Sequence, residues 1–159
     1  MTDVVSTADA PDLGPAPKLS VAAPCYNEAD AIGPVLAEWD EQLAALPYAS
    51  EIVLCNDGST DGTRAILAEL RQRYPRLRVV DFEQNGGYGR ALCAAINATR
   101  GEYVATIDSD GQFDLGDAPG LLEHCEQGGL DCVTGYRVAK QDSLFRVVAD
   151  RGLNKLVKL

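Results

Sequence analysis

Two aspartates one residue apart, Asp108 and Asp110, follow the short apolar run Tyr103–Ile107 and precede Gly111 and Gln112. The run is rich in strand-forming residues and reads as a buried central strand. Side chains alternate in extended chain, so both carboxylates leave the strand's C-terminal end on the same face. Two anionic groups that close repel each other unless a cation joins them. Gly111 permits a tight turn, and Gln112 offers an amide oxygen to the same place. Oxygen ligands without His or thiol suit Mg²⁺ or Mn²⁺ rather than zinc, with coordination sites left over for phosphates. The other reading of these residues is a polar surface turn whose aspartates cap the next helix. The loops after the remaining strands bear on the choice.

Short apolar runs alternate with amphipathic stretches from Lys18 onward. Strands are expected at Leu19–Ala23, Glu51–Asn56, Leu77–Phe82, Tyr103–Ile107 and Asp131–Gly135. Helices are expected at Asp30–Ala45, Thr60–Arg73, Tyr88–Thr99, Gly116–Gln127 and Ser143–Leu159. In the second helix, Ile66, Leu67 and Leu70 have helical spacing, with Thr60 and Asp61 placed as cap and dipole partner. Such alternation implies an α/β fold, a mostly parallel sheet with helices on both faces. Ligands of such sheets bind at the C-terminal ends of the strands.

Four polar loops fall at that edge. Pro24-Cys25-Tyr26-Asn27-Glu28 follows the first strand: Pro24 should end the ladder, Tyr26 offers a flat ring, and Glu28 is an acceptor near a helix start. Asn56-Asp57-Gly58-Ser59-Thr60-Asp61-Gly62-Thr63 follows the second. There Asp57 can accept from a base or ribose and Gly58 allows close backbone approach, although a capped turn also fits. Asn85-Gly86-Gly87-Tyr88-Gly89-Arg90-Ala91 follows the third, its glycines opening a helix whose N–H groups could face an anion. It is not the dinucleotide-binding GxGxxG pattern and does not follow a first strand, which argues against NAD. The paired aspartates follow the fourth.

Composition narrows the class. Hydrophobic residues at 46% and charged residues at 24% match a soluble globular protein, and 159 residues suit one domain. No apolar run approaches the ~18 residues that span a bilayer, and no secretory leader is visible. Cys25, Cys55, Cys93, Cys125 and Cys132 form no CxxC pair and read as reduced core thiols of a cytoplasmic protein. The net charge of −10 lies in the body; residues 137–159 carry six Lys or Arg against Asp142 and Asp150. An acidic body with a basic end is no nucleic-acid binder, but the basic edge could meet anionic lipid. Residues 1–17 read as a flexible tail and 18–159 as the folded domain.

The ordered set PCYNE, NDGSTDGT, NGGYGRA and IDSDGQFD resembles the family 2 glycosyltransferases of the GT-A fold, a Rossmann-like α/β architecture. Within that family it looks most like the dolichyl- or polyprenyl-phosphate sugar transferases, with the dolichyl-phosphate mannose synthase branch nearest. The resemblance runs from about Lys18 to the C-terminus. It implies that Pro24, Tyr26, Glu28 and Asp57 line the base and ribose of a nucleotide-sugar, with Gly89, Asp108 and Ser109 also on the donor. Asp108 and Asp110 would be the family's DxD, and Gln112 a third ligand of Mg²⁺ or Mn²⁺. Gly135-Tyr136-Arg137 is similar to the family's Gly-x-Arg, and Arg146 with Arg151-Gly152-Leu153-Asn154 to the arginine pattern that follows it. Arg137, Arg146 and Arg151 would hold the acceptor phosphate beside the donor diphosphate, with Arg137 and Arg146 catalytic alongside Asp108 and Asp110. Lys155 and Lys158 read as a solvated helix face. Asp150 stands where the mannose-transferring branch has serine, and Arg90 where lysine or a small residue is common. Relatives continue well past this length, so the donor half is present and the acceptor half incomplete.

The resemblance thus implies an inverting hexose transfer from a GDP- or UDP-sugar to a polyprenyl phosphate, by an enzyme in the cytoplasm or peripheral at the inner face of a membrane. The acceptor phosphate is already ionised, so no strong protein base is needed. His124, mid-helix, reads as structural. A saccharide acceptor would require a carboxylate base, with Asp114 or Asp117 nearest. A nucleotide-sugar-binding fragment without turnover is the reading from another class. Base, sugar, acceptor and oligomeric state stay open at the level of sequence.

Overall fold

The structure, a computed structural model, describes residues 15–135. Its frame is four parallel strands, β1 (Leu19–Cys25), β2 (Ser50–Asn56), β3 (Leu77–Asp81) and β4 (Tyr103–Thr106), in the order β3-β2-β1-β4. Four helices follow them in sequence: α1 (Ile32–Ala44), α2 (Thr63–Arg73), α3 (Tyr88–Asn97) and α4 (Ala118–Gly128), the last preceded by a 3₁₀ turn at Leu115–Asp117.

The period-two alternation of the strands sorts the core into two layers. Leu19, Val21, Ala23 and Cys25 of β1 join Ile52 and Leu54 of β2 and Leu77 and Val79 of β3 on one face. Helix α1 covers that face with Ile32, Val35, Leu36, Trp39 and Leu43, spaced along one apolar stripe. Leu67 of α2 adds to the layer. On the other face Ala22, Val53, Cys55 and Val80 meet Phe82 and the small residues Ala91 and Ala95 of α3. Helices therefore lie on both faces, as the alternation of elements implies. Pro34 of α1 falls in a first turn, where its missing N–H has no partner to lose.

Several boundaries depart from the sequence reading. Pro24 does not end the ladder: β1 continues through it, with Pro24 opposite Cys55 and Cys25 opposite Asn56. A proline can hold a strand position wherever its nitrogen is not asked to donate. Among the described residues the run at Tyr103–Ile107, expected as a central strand, pairs with β1 alone, so that β4 stands at the edge of the sheet they form. Tyr103, Ala105 and Ile107 pack on the α1 layer, while Val104 and Thr106 are exposed, so burial is one-sided. Thr60 does not cap α2. The cap position is Gly62, and Asp61 instead accepts from the backbone N–H of Thr63 at 2.9 Å. Asp131–Gly135 is not a strand, for its one large apolar side chain, Val133, is flanked by exposed residues and has little to bury. Of the cysteines expected in the core, only Cys25 and Cys55 are there; Cys93 and Cys132 are exposed. Burial pushes the Cys25 thiol up to about 11 and the Cys55 thiol up to about 12, so neither is a nucleophile at neutral pH. The expected helix over 143–159 lies outside the described residues.

At the N-terminal end of the strands a buried carboxylate, Glu51 (1% exposed), ties the sheet together. It accepts from Ser20 Oγ at 2.8 Å, from the Arg100 amide at 2.7 Å and from the guanidinium groups of Arg78 and Arg100, both at 3.3 Å.

The chain divides into two compact units after Leu122. In the described part of the second, Gly129 (φ +59°) closes α4, and the Cys125 thiol donates to the carbonyl of Leu130 at 2.8 Å.

Candidate functional site

The four polar loops at the C-terminal ends of the strands are joined in a ring. The first is stitched to the second. Asn27, held at φ +55°, donates its N–H to Ser59 Oγ at 3.0 Å and accepts from the Thr60 amide at 2.8 Å. The Glu28 amide donates to Thr63 Oγ1 at 2.9 Å, and the Ala29 amide to Asp61 Oδ2 at 3.2 Å. Asparagine tolerates the left-handed region better than most residues, which suits it to this corner.

The second loop grips the third. Asp57, 2% exposed, accepts from Gly86 N at 2.7 Å with one oxygen and from Gly87 N at 2.9 Å with the other. Gly58 is left-handed (φ +66°), and a Cβ there would collide with the backbone of Gln84 and Asn85. Close approach and conformation both require glycine. The third loop meets the fourth through Tyr88, whose hydroxyl donates to Asp108 Oδ1 at 2.9 Å. The fourth returns to the first through Ser109, whose hydroxyl donates to the Pro24 carbonyl at 2.8 Å.

The electrostatics of this ring are acidic. Burial, then the charges of Asp110 and Asp61, push the Glu28 carboxyl above its usual range. Asp110 accepts from Gln112 N at 3.0 Å across the turn that Gly111 (φ +74°) allows. Asp108 and Asp110 each use Oδ1 within the protein, and among the described residues nothing donates to either Oδ2. Among the same residues no three His, Cys, Asp or Glu side chains stand together closely enough to hold a metal. Among the described residues, two carboxylates with one unbonded oxygen each are a donor set of the kind that suits a hard cation.

The residues singled out in the sequence fall in different settings. Asp57, Asp108, Ser109 and Asp110 all belong to the ring. The Pro24 ring is buried within β1, and Asp57 and Ser109 have turned their side chains to partners inside the protein. Tyr26 is exposed, and Gly89 lies exposed in the first turn of α3. Gln112 is exposed beside Asp110. Arg90 stacks over Phe82 at 4.4 Å. Asp114 accepts on Oδ1 from Gly116 N at 2.8 Å and Gln42 Nε2 at 2.9 Å and caps the 3₁₀ turn. His124 is exposed on α4. Arg137, Arg146 and Arg151 lie outside the described residues.

Asn27 and Tyr88 are among the ring members that the sequence reading left without a role. Tyr88 carried one signal: it opens a helix directly after a glycine pair.

Comparison with known proteins places this ring in a family. The model of glycosyl transferase family 2 matches residues 20–155. A dodecaprenyl-phosphate galacturonate synthase of Rhizobium johnstonii is 34% identical over 132 residues, covering 80% of this chain and 38% of that protein. An undecaprenyl-phosphate 4-deoxy-4-formamido-L-arabinose transferase of Edwardsiella ictaluri is 38% identical over 142 residues, covering 88% of this chain and 43% of that protein. The chain thus spans about two fifths of the curated relatives it matches. Among solved structures, S. aureus TarS 1–349 in complex with UDP aligns with a TM-score of 0.61 and 27% identity over 77% of this chain and 38% of its own. The mannosyltransferase PcManGT from Pyrobaculum calidifontis, in complex with GDP-Man and Mn²⁺, aligns with a TM-score of 0.55 and 29% identity over 65% of this chain and 30% of its own. The GT-A type architecture implied by the motifs is the one observed. With its family model matched over most of its length and its similarity to polyprenyl-phosphate sugar transferases, the chain belongs to glycosyl transferase family 2.

Proposed function

We propose that this chain carries the donor site of a metal-dependent, inverting glycosyltransferase that moves a hexose from a nucleotide-sugar to a polyprenyl phosphate. The observation behind the reading is the ring of four loops bearing Asp108 and Asp110, in a chain whose relatives are named as dodecaprenyl- and undecaprenyl-phosphate enzymes. Tyr26, beside Pro24 and Glu28, gives the nucleoside base a flat surface at the mouth of the ring. Asp57 keeps the glycine loop in register so that the first turn of α3, with Gly89, lies along the diphosphate. Asp108 and Asp110, with Gln112, would hold Mg²⁺ or Mn²⁺. When bound there, that ion would offset the charge of the diphosphate and make it a better leaving group.

In the transfer, an ionised oxygen of the lipid phosphate attacks the anomeric carbon from the face opposite the leaving group. One C–O bond forms as the bond to the nucleoside diphosphate breaks, inverting the centre. No proton need be removed, so the transfer calls for no carboxylate base. Arg137, Arg146 and Arg151 hold the two anionic reactants together. This chemistry belongs at the inner face of a membrane. Among the described residues no helix is long and apolar enough to cross one.

Calorimetric titration of UDP and GDP, each with and without Mn²⁺, tests the reading on wild type and Asp110→Ala. One nucleotide should bind, and its binding should weaken without metal and in the variant. Equal binding in all four conditions, or none in any, would sink the reading. A transfer assay with a polyprenyl phosphate against a saccharide acceptor then separates the two acceptor classes.

A further inference from the structure

Tyr88 occupies a position that core packing does not explain. It is the first residue of α3, it is 60% exposed, and its hydroxyl donates to Asp108 Oδ1 at 2.9 Å. An exposed phenol could bond to water at no loss, so a fixed partner here calls for a reason. The residue before it is also held: Gly87, at φ +89°, gives its amide to Asp57. The buried end of β2 is thereby connected through Asp57, Gly86 and Gly87 to Tyr88, and through Tyr88 to the first aspartate of the pair.

We propose that Tyr88 is a positioning residue for the cation site, holding Asp108 by one carboxylate oxygen so that the other is presented to the metal. The inference rests on the reading of Asp108 and Asp110 as metal ligands. Outer partners that orient a ligating carboxylate govern metal affinity in this way. A neutral phenol is well suited to the task, since it orders the carboxylate without neutralising the charge the cation needs.

The test is Mn²⁺ binding followed by electron paramagnetic resonance, with UDP and GDP as probes, on wild type, Tyr88→Phe and Asp110→Ala. Tyr88→Phe should bind Mn²⁺ about tenfold more weakly in the presence of nucleotide, with metal-free nucleotide affinity and thermal midpoint unchanged. Full Mn²⁺ affinity in Tyr88→Phe, alongside its loss in Asp110→Ala, would overturn the role of Tyr88 and leave the site reading standing. A tenfold loss of metal-free nucleotide binding in Tyr88→Phe would overturn it too, because the ring would then be touching the nucleotide. No Mn²⁺ binding by wild type with either nucleotide would overturn the site reading and this inference together.

Discussion

The hydroxyl of Ser109 donates to the carbonyl of Pro24 at 2.8 Å, across 85 residues of chain. Pairing of β1 with β4 ends at Ala22 opposite Thr106, and the Ile107 amide still donates to the Ala22 carbonyl. One step further the backbone has turned away. The Ser109 side chain takes the place that the next ladder N–H would hold, and thereby fixes the loop bearing both aspartates.

Ser109→Ala should leave that carbonyl without its partner in a buried setting. The expected loss is about 1–3 kcal/mol of stability, measured as a lower urea midpoint with an unchanged slope. Unchanged stability would mean that water replaces the hydroxyl at no cost.

Glu51 predicts the acid limit of the fold. Burial alone would raise its carboxyl, but the Ser20 hydroxyl, the Arg100 amide and the guanidinium groups of Arg100 and Arg78 outweigh it, and the net direction is downward. A carboxylate whose pKa is lower folded than unfolded adds stability above its unfolded value, here 4.5, and loses it as pH falls through the folded value. Glu51→Gln should cost about 3 kcal/mol at neutral pH, because Arg78 and Arg100 lose the buried charge that both of them face. Below pH 4.5 the gap to wild type should narrow. Urea titrations at neutral and acid pH check both parts, and a gap independent of pH would contradict the account.

Glu28 has the opposite sign. Burial first, then Asp110 and Asp61, raise its carboxyl above 4.5, so the fold favours the protonated form and the charged form costs stability at neutral pH. Glu28→Gln should therefore melt higher than wild type at neutral pH. The two should coincide below pH 4.5, where the carboxyl is protonated in both states. A variant that melts lower at neutral pH would show that the carboxylate is stabilised by contacts that outweigh this repulsion.

The sheet was legible because β1, β2 and β3 are continuous apolar runs, and a parallel sheet gathers the loops after its strands on one edge. Asp57, Asp108 and Asp110 each follow a strand, so the edge they share can be read from the sequence. Among the described residues β4 is covered on one face, and an apolar run alone does not say whether one face or two will be covered. Asp131–Gly135 failed for want of anything to bury beyond Val133. The partners of the site residues were not legible at all. Nothing local to Asp57 tells that its carboxylate will meet amides about thirty residues away, or that Tyr88 will reach Asp108 twenty residues on. Spacing encodes which face a residue takes; such pairs are settled by the assembled sheet.

The ring of loops also bears on the order of folding. Its last link joins Ser109 to Pro24, and strand β4 is docked at its other end by the Gly101 amide on Ser20 Oγ, 81 residues back. Contacts so distant along the chain cost loop entropy before they return any stabilisation, and parallel pairing is correspondingly slow. The β2–β3 and β1–β2 pairs close shorter loops and can form earlier. A partly folded chain would thus own most of its sheet but not yet the placed loop of Asp108 and Asp110, and the proposed nucleotide would select only molecules that had finished folding.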